Sequence, residues 1–317
     1  MANPSAIEQV RLGDHVCWAF SGDDQRLDAM ARLVAAGVRQ GEKVLYLTES
    51  LLPTALLAGL AARGLYAEEA LERGQLDVRR AQETYLAGGR FDPDASVDTF
   101  AGHIERAHDE GWAGLRIVGD MAWALSARSG ADQLARYEAR LNRLFLEGRA
   151  LAVCQYDQRL FSAAELRRAS DAHTGTTVVS MNNHWRPLLR MRRTAEPPGL
   201  RLAGEADLSN RRALASVLDT LVRDHAENDA PIVIDLADLR FADAAAVGLV
   251  LRAGAVAPAG VHVVGCAPPI ARTFALLGAD ELTNLTIGDS ETTGGSHPHG
   301  DSDTVGGGDP RPNGAIQ

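Results

Sequence analysis

Short apolar runs and longer amphipathic stretches alternate along the chain, and the alternation predicts its elements. HVCWAF, KVLYLT, LDVRRA, LRIVGDM, ALAVCQYD and TTVVSM, all within residues 13–181, are brief and β-rich and read as buried strands. Between the first two, DDQRLDAMARLVAAGV sets Leu27, Met30, Ala31, Val34 and Val38 on one helical face. Asp23 or Asp24 is placed to cap that helix, and the Gly37–Gly41 region closes it. Strands alternating with helices of this length predict βαβ units, hence an α/β domain with a mainly parallel sheet covered on both faces.

The pattern breaks at RMRRTAEPPG, where charge, two prolines and a glycine read as a linker over 190–198. Arg186, Arg190, Arg192 and Arg193 crowd there, and solvated basic flanks are the preferred reading over an anion-binding patch. A smaller αβ domain is expected over 199–287. LSNRRALASVLDTLV carries Leu214, Val217, Leu218 and Leu221 at helical spacing, PIVIDL and VHVVGC are strands, and APPIARTFALLG is a helix opened by proline and stopped by Gly278. Residues 288–317, without an aromatic and rich in Gly, Asp, Ser and Pro, predict a disordered tail, whose His297 and His299 form at most a weak metal site. The boundaries are therefore 1–189, a linker, 199–287 and the tail.

Composition narrows the classes. The 317 residues suffice for two domains, and 45% hydrophobic content suits a globular protein. A formal charge of −10 and a pI near 5.4 argue against nucleic acid or anionic membrane as partners. Lys43 is the sole lysine, which speaks of genome composition more than of function. Cys17, Cys154 and Cys266 are far apart, form no CxxC pair and predict reduced thiols in a cytosol. Neither a secretory signal nor a membrane-length apolar run is evident, so a cytoplasmic location is expected.

The stretch FSGDDQRLDAMARLVAAGVRQGEKVLYLTES has the strand–turn–helix–strand layout of a P-loop domain and resembles the RecA/KaiC-like ATPases. The resemblance would put a phosphate loop at Phe20–Asp28, yet Ser21, Gly22, Asp23, Asp24, Gln25 and Arg26 stand where GK[ST] would be needed. LRIVGDM, with Asp120 after its apolar run, resembles the magnesium-binding strand of such enzymes. Without the lysine, no enzymatic activity, catalytic residue or cofactor is expected.

Several motifs in order give a closer resemblance over about 170 residues. HxC (His15, Cys17), GEKVLYLTES, YLAGGRFDP, LRIVGDMAWAL and AVCQYDQRLFSAAEL look like the MEDS domain, a sensory module of bacterial regulators. The resemblance implies sensing of a small molecule or partner. His15 and Cys17 lie two apart on a strand and share a face, either as part of a ligand or metal site or as packing. Nothing in the spacing completes a metal site, so none is assigned. A ligand of an open parallel sheet sits at the strand carboxyl ends, which nominates Phe20, Thr48, Glu49, Asp120, Trp123, Tyr156 and Asp157. Trp123 and Tyr156 serve either as pocket walls or as core aromatics. Histidines 103, 108, 173 and 184 lie in no motif, and no nucleophile–base pair is evident.

In the second domain, LRLAGEADLSN, VIDLADLRFADAAAVGLVL and VHVVGCAPPIARTFALLGADEL resemble the STAS domain of anti-sigma factor antagonists. In phosphorylated members an Asp-Ser-Ser-Gly turn opens a helix, and a serine-kinase anti-sigma factor modifies the second serine. Here the turn is Asp243, Ala244, Ala245, Ala246, with Ala245 at the phosphoacceptor position. The resemblance implies a partner surface including Asp207 and residues 243–246, permanently neutral at Ala245. The alanines also serve the helix itself, with Asp243 as its N-cap. The reading is a non-enzymatic signalling protein whose sensory domain controls a STAS-like output toward an anti-sigma factor or another STAS protein. Its rivals are a self-associating scaffold and an ATPase with an atypical loop.

Overall fold

The structure, a computed structural model, describes residues 10–126, 133–178, 189–227 and 229–288. The expected disordered tail thus lies outside the described residues apart from Gly288, as do Arg186, His184, His297 and His299.

The first domain runs β1 (His15–Phe20), α1 (Asp23–Arg39), β2 (Lys43–Thr48), α2 (Pro53–Ala61), α3 (Glu68–Glu72), β3 (Leu76–Arg80), α4 (Ala81–Tyr85), α5 (Pro93–Asp109), β4 (Leu115–Asp120), a 3₁₀ turn (Met121–Leu125), α6 (Leu134–Phe145), β5 (Ala150–Asp157), α7 (Ala163–Ser170) and β6 (Gly175–Val178). Its six strands are parallel in the order β3-β2-β4-β5-β1-β6. All six apolar runs of the sequence contribute a strand.

Strand alternation sorts the side chains between two cores. Val16, Trp18, Phe20, Tyr46, Val118 and Val153 pack under α1 and α2. Cys17, Leu47, Ile117, Ala152, Cys154 and Tyr156 face α5 and α6 on the other side. Helix α1 starts at Gly22 without a side-chain cap, so neither Asp23 nor Asp24 plays the expected capping role. Both sit in the first turn, where their charge favours the helix N-terminus, and pair instead with Arg159 and Arg63.

The second domain comprises β7 (Leu189–Ala195), β8 (Pro198–Ala206), α8 (Arg211–Asp224), β9 (Ile232–Ala242), α9 (Ala244–Val256), β10 (Val261–Val264), α10 (Pro268–Leu276) and β11 (Leu285–Ile287), in the sheet order β11-β10-β9-β8-β7. The expected linker is corrected here. Residues 190–195 belong to β7, which pairs antiparallel with β8 at the sheet edge. Leu189 and Met191 point into the core while Arg190 and Arg192 point out, a period-2 alternation hidden in the sequence by the arginines. Gly199 is required by packing, because a Cβ there would lie 1.9 Å from the Val233 carbonyl oxygen. One face of this sheet packs through Leu200, Leu202, Ile232 and Ile234 on the helices, whose side includes Val247 of α9. The outer face carries charge pairs such as Arg201–Asp238.

Of the arginines read as solvated flanks, Arg190, Arg192 and Arg193 reach the first domain. Arg190 holds Asp14 with two hydrogen bonds of 2.8 and 3.0 Å. Arg193 pairs with Asp224 at 2.7 Å and with Glu147 of the first domain at 3.4 Å. Leu146, just after α6, is buried in the second domain's core.

Candidate functional site

The sheet of the first domain separates two buried polar groups, one on each face. At the carboxyl ends, on the α1 face, the Arg26 guanidinium donates to Asp120 Oδ2 at 2.9 Å, to Gln155 Oε1 at 2.9 Å and to Ser50 Oγ at 2.8 Å. The backbone amides of Glu49 and Ser50 also donate to Asp120 Oδ2, at 3.1 and 2.8 Å. Arg26 stands over the Phe20 ring, 5.2 Å from its centroid. Burial would raise the Asp120 carboxyl, but Arg26 and Ser50 outweigh it and hold it below the usual range. The place the sequence reserved for phosphates thus contains the protein's own cation, paired with the strand-end aspartate.

The nominated ligand residues do not form one crevice. Phe20 and Asp120 belong to this Arg26 group. Thr48 donates its hydroxyl to the Leu51 carbonyl at 2.9 Å. Glu49 binds Gln82 at 2.6 Å, and Asp157 binds Arg159. Trp123 is buried and stacks on Tyr85, 4.3 Å between centroids. His15, Cys17 and Tyr156 lie on the opposite face.

There the structure assembles a group that the sequence did not reveal. His15, Glu138, Cys154 and His173 are buried, and one donor atom from each lies within 4.8 Å of all the others. Strand β1 supplies His15, β5 supplies Cys154, α6 supplies Glu138, and the turn after α7 supplies His173. Glu138 Oε2 is 3.3 Å from His15 Nε2 and 3.5 Å from His173 Nε2. Cys154 Sγ is 3.6 Å from both His15 Nε2 and Glu138 Oε2. Cys17, the expected companion of His15, is next to Cys154 across the β1–β5 pair but is not one of the four.

A surrounding layer of hydrogen bonds fixes these groups. The Asn142 amide nitrogen donates to the carbonyls of Glu138, Ala139 and Ala172, which turns its Oδ1 toward His15 Nδ1 at 3.1 Å. His15 Nδ1 therefore carries a proton, and Nε2 faces the cluster. His173 Nδ1 donates to the Ala169 carbonyl at 2.7 Å, so its Nε2 also faces inward, where it has no hydrogen-bond partner. Tyr156 donates its hydroxyl to Glu138 Oε1 at 2.7 Å. Burial, with His15 nearby, lowers His173 to about 4, so this imidazole is neutral at pH 7. Burial would raise Glu138, but His173, His15 and Tyr156 together hold it below the usual carboxylate range. Burial pushes the Cys154 thiol well up, and Glu138 adds to the effect.

Around His173 the first domain is attached to the second. The Asp171 carbonyl accepts from the amides of Arg212 and Ala213, at 3.0 and 3.3 Å, in the first turn of α8. The Thr174 carbonyl accepts from Leu189 of β7 at 3.1 Å, and the Thr174 amide donates to the His15 carbonyl at 3.1 Å. A cleft of about 750 Å³ opens beside this junction, lined by Tyr156, Arg136, Arg140 and Arg168 from the first domain and Arg212 and Arg223 from the second. Glu165 and Asp219 also line it, so its walls carry both signs of charge.

The nominated partner turn opens α9. Asp243 Oδ1 accepts from the Ala246 amide at 2.7 Å, as an N-cap does. Ala244 is exposed, Ala245 half-buried and Ala246 buried. Asp207 accepts from the amide and hydroxyl of Ser209, and the Asp243 amide donates to the Ala206 carbonyl at 3.0 Å, joining the two segments. Leu208 and Phe241, neighbours of these residues, are 60% and 50% exposed and add apolar area around the turn.

Comparison with known proteins matches these two halves. A family model described as the methanogen/methylotroph, DcmR sensory domain (MEDS) matches residues 14–174, and one described as Mlab, STAS domain matches residues 189–286. The transcriptional repressor DcmR of Methylorubrum extorquens (strain DSM 6343 / CIP 106787 / DM4) is 26% identical over 166 residues, which cover 51% of this chain and 59% of that relative. Among solved structures, a KaiC-like protein from Pyrococcus horikoshii OT3 aligns with a TM-score of 0.39 at 15% identity, covering 60% of this chain and 77% of that one. The flagellar accessory protein FlaH of Methanocaldococcus jannaschii aligns at 0.40 and 10%, covering 58% and 87%.

Proposed function

The chain belongs to the MEDS family and carries a STAS domain behind its sensory domain, and on that premise we propose that it regulates by partner switching without phosphorylation. The sensory domain receives the signal, and the STAS domain passes it to an anti-sigma factor of the serine-kinase type. The observation that carries this reading is the 243–246 turn. It keeps the capping aspartate and exposed flanking residues, yet offers no hydroxyl at Ala245. A phosphate there would add roughly −1.5 to −2 charges at the contact surface, and alanine remains neutral. Control then comes from the fused domain, which is hydrogen-bonded to the first turn of α8 through Asp171.

The test starts from the full chain used as bait in its own cytosol, followed by binding to the purified anti-sigma factor with ATP. The wild type is expected to bind, take up no phosphate at 243–246 and stay bound. Ala245→Glu is expected to weaken the complex at least tenfold. Phosphate at Ser209 or Ser216 with release of the partner would reject the reading. Capture of nothing but further copies of this chain would establish the scaffold instead.

The same reading gives the first domain no ATPase role, because Arg26 is bonded to the aspartate that would otherwise serve magnesium. Calorimetric titration with ATP and magnesium is expected to give no micromolar binding. Such binding, with hydrolysis abolished by Asp120→Ala, would overturn it.

A further inference from the structure

We propose that His15, Glu138, Cys154 and His173 form a closed, structural binding site for one divalent transition-metal ion of the zinc class. The geometry carries the proposal. Zinc binds nitrogen at about 2.0–2.1 Å, carboxylate oxygen at about 2.0–2.2 Å and sulfur at about 2.3 Å, so a tetrahedron built on these bonds has N–O edges of about 3.4 Å and edges from sulfur of about 3.6 Å. The corresponding separations here are 3.3 and 3.5 Å for His15 and His173 to Glu138, and 3.6 Å from Cys154 to both His15 and Glu138. Four of the six edges between these side chains, which come from four separate elements, match a ligand tetrahedron, and the two remaining edges, from His173 to His15 and to Cys154, lie within 4.8 Å.

The surroundings fit a metal better than they fit a packed polar core. Ligating histidines donate their second ring nitrogen to a carbonyl, carboxylate or water, which fixes the tautomer. Both histidines do so here, to Asn142 Oδ1 and to the Ala169 carbonyl. The Glu138 carboxylate is steadied by Tyr156 on the oxygen that faces away from the cluster centre. His173 Nε2 is fully buried, has no hydrogen-bond partner and aims its lone pair at Glu138 Oε2. Two lone pairs facing each other in an apolar interior are unfavourable unless a cation lies between them. Among the described residues, the ion pairs of Glu138 are with these two imidazoles and with no arginine or lysine. A buried carboxylate that lacks a permanent cation is costly, and a metal ion supplies the missing charge. Its binding expels the Cys154 proton to solvent, leaving a thiolate ligand.

Nitrogen and sulfur ligands select zinc, cobalt and similar ions over magnesium and calcium. Four protein ligands in a solvent-free core leave no position for a substrate, so the ion is structural. Its effect is to tie the 169–174 turn to β1 and α6, and that turn carries the hydrogen bonds to α8 and β7.

The proposal is independent of any partner, and so is its test. The full chain is prepared without an affinity tag, with His297→Ala and His299→Ala, stripped by chelator under reducing conditions, then titrated with zinc alone and with cobalt(II) alone. One equivalent per chain is expected by elemental analysis. Cobalt is expected to give the visible bands of a tetrahedral site and a thiolate charge-transfer band. Cys154→Ser should remove that band, and Glu138→Gln should weaken zinc at least 100-fold. Asn142→Ala, which frees the His15 ring, should weaken it about 10- to 100-fold. Asp120→Asn, on the other face of the sheet, should leave metal stoichiometry unchanged. Less than a tenth of an equivalent in a folded wild-type chain, or a cobalt spectrum unaltered by Cys154→Ser, would overturn the site. The wild-type titration decides the matter even if a variant fails to fold.

Discussion

His173 shows how much one side chain can depend on its surroundings. No motif surrounds it in the sequence, yet it is fully buried against a carboxylate, with its pKa lowered from 6.5 to about 4. The unfolded chain takes up a proton at this histidine near pH 6.5, and the folded chain refuses it until about 4. The folded state therefore binds fewer protons in that window, and stability rises with pH across it. The contribution is complete above 6.5, is lost as pH falls toward 4, and amounts to roughly 3 kcal/mol. In metal-free protein, urea denaturation midpoints of the wild type are expected to fall between pH 6.5 and 4 more steeply than those of His173→Gln. Parallel profiles for the two would show that the buried imidazole does not titrate this way. Arg26 makes the complementary case. It was legible as the wrong residue for a phosphate loop, but its real role, pairing with Asp120, depends on a strand 94 positions away.

At the scale of elements, the apolar runs of the first domain were legible because parallel strands buried on both faces are nearly continuous in hydrophobicity. Strand β7 was not, because its outward positions are arginines and its inward ones only Leu189 and Met191. The metal-capable cluster was half visible. The His15–Cys17 pair marked the correct strand face, but its partners come from distant elements with no short spacing between them. One signal was available in LARYEARLNRLF. Leu134, Tyr137, Leu141 and Phe145 trace the buried stripe of α6, and Glu138 and Asn142 fall on the same stripe. A charged residue on an apolar face asks for a partner. Helix α8 depends on its neighbour in another way. Its N-cap, Asn210, makes no side-chain cap, and the amides of Arg212 and Ala213 are satisfied by Asp171 of the other domain. Hydrogen exchange is expected to show those two amides protected in the full chain and fast in a fragment of residues 189–288, while the second half of α8 stays slow. Equal protection in both would mean that α8 is capped from within its own domain.

For the molecule as a whole, the two domains share more than a tether. Leu146 enters the second core, Arg190 grips Asp14, and the 171–174 segment bonds to both α8 and β7. No helix among the described residues is long and apolar enough to cross a membrane. The sheet order has a further consequence, for the time course of synthesis. Strand β1 leaves the ribosome first, but its neighbours in the sheet are β5 and β6, the last strands of the domain. His15 and Cys154 are 139 positions apart. At about 5–20 residues per second, the nascent HVCWAF segment waits roughly 7–30 s for its first partner strand. During that interval an apolar strand with two unpaired edges is exposed on a growing chain, the period in which such a segment is most open to wrong pairings.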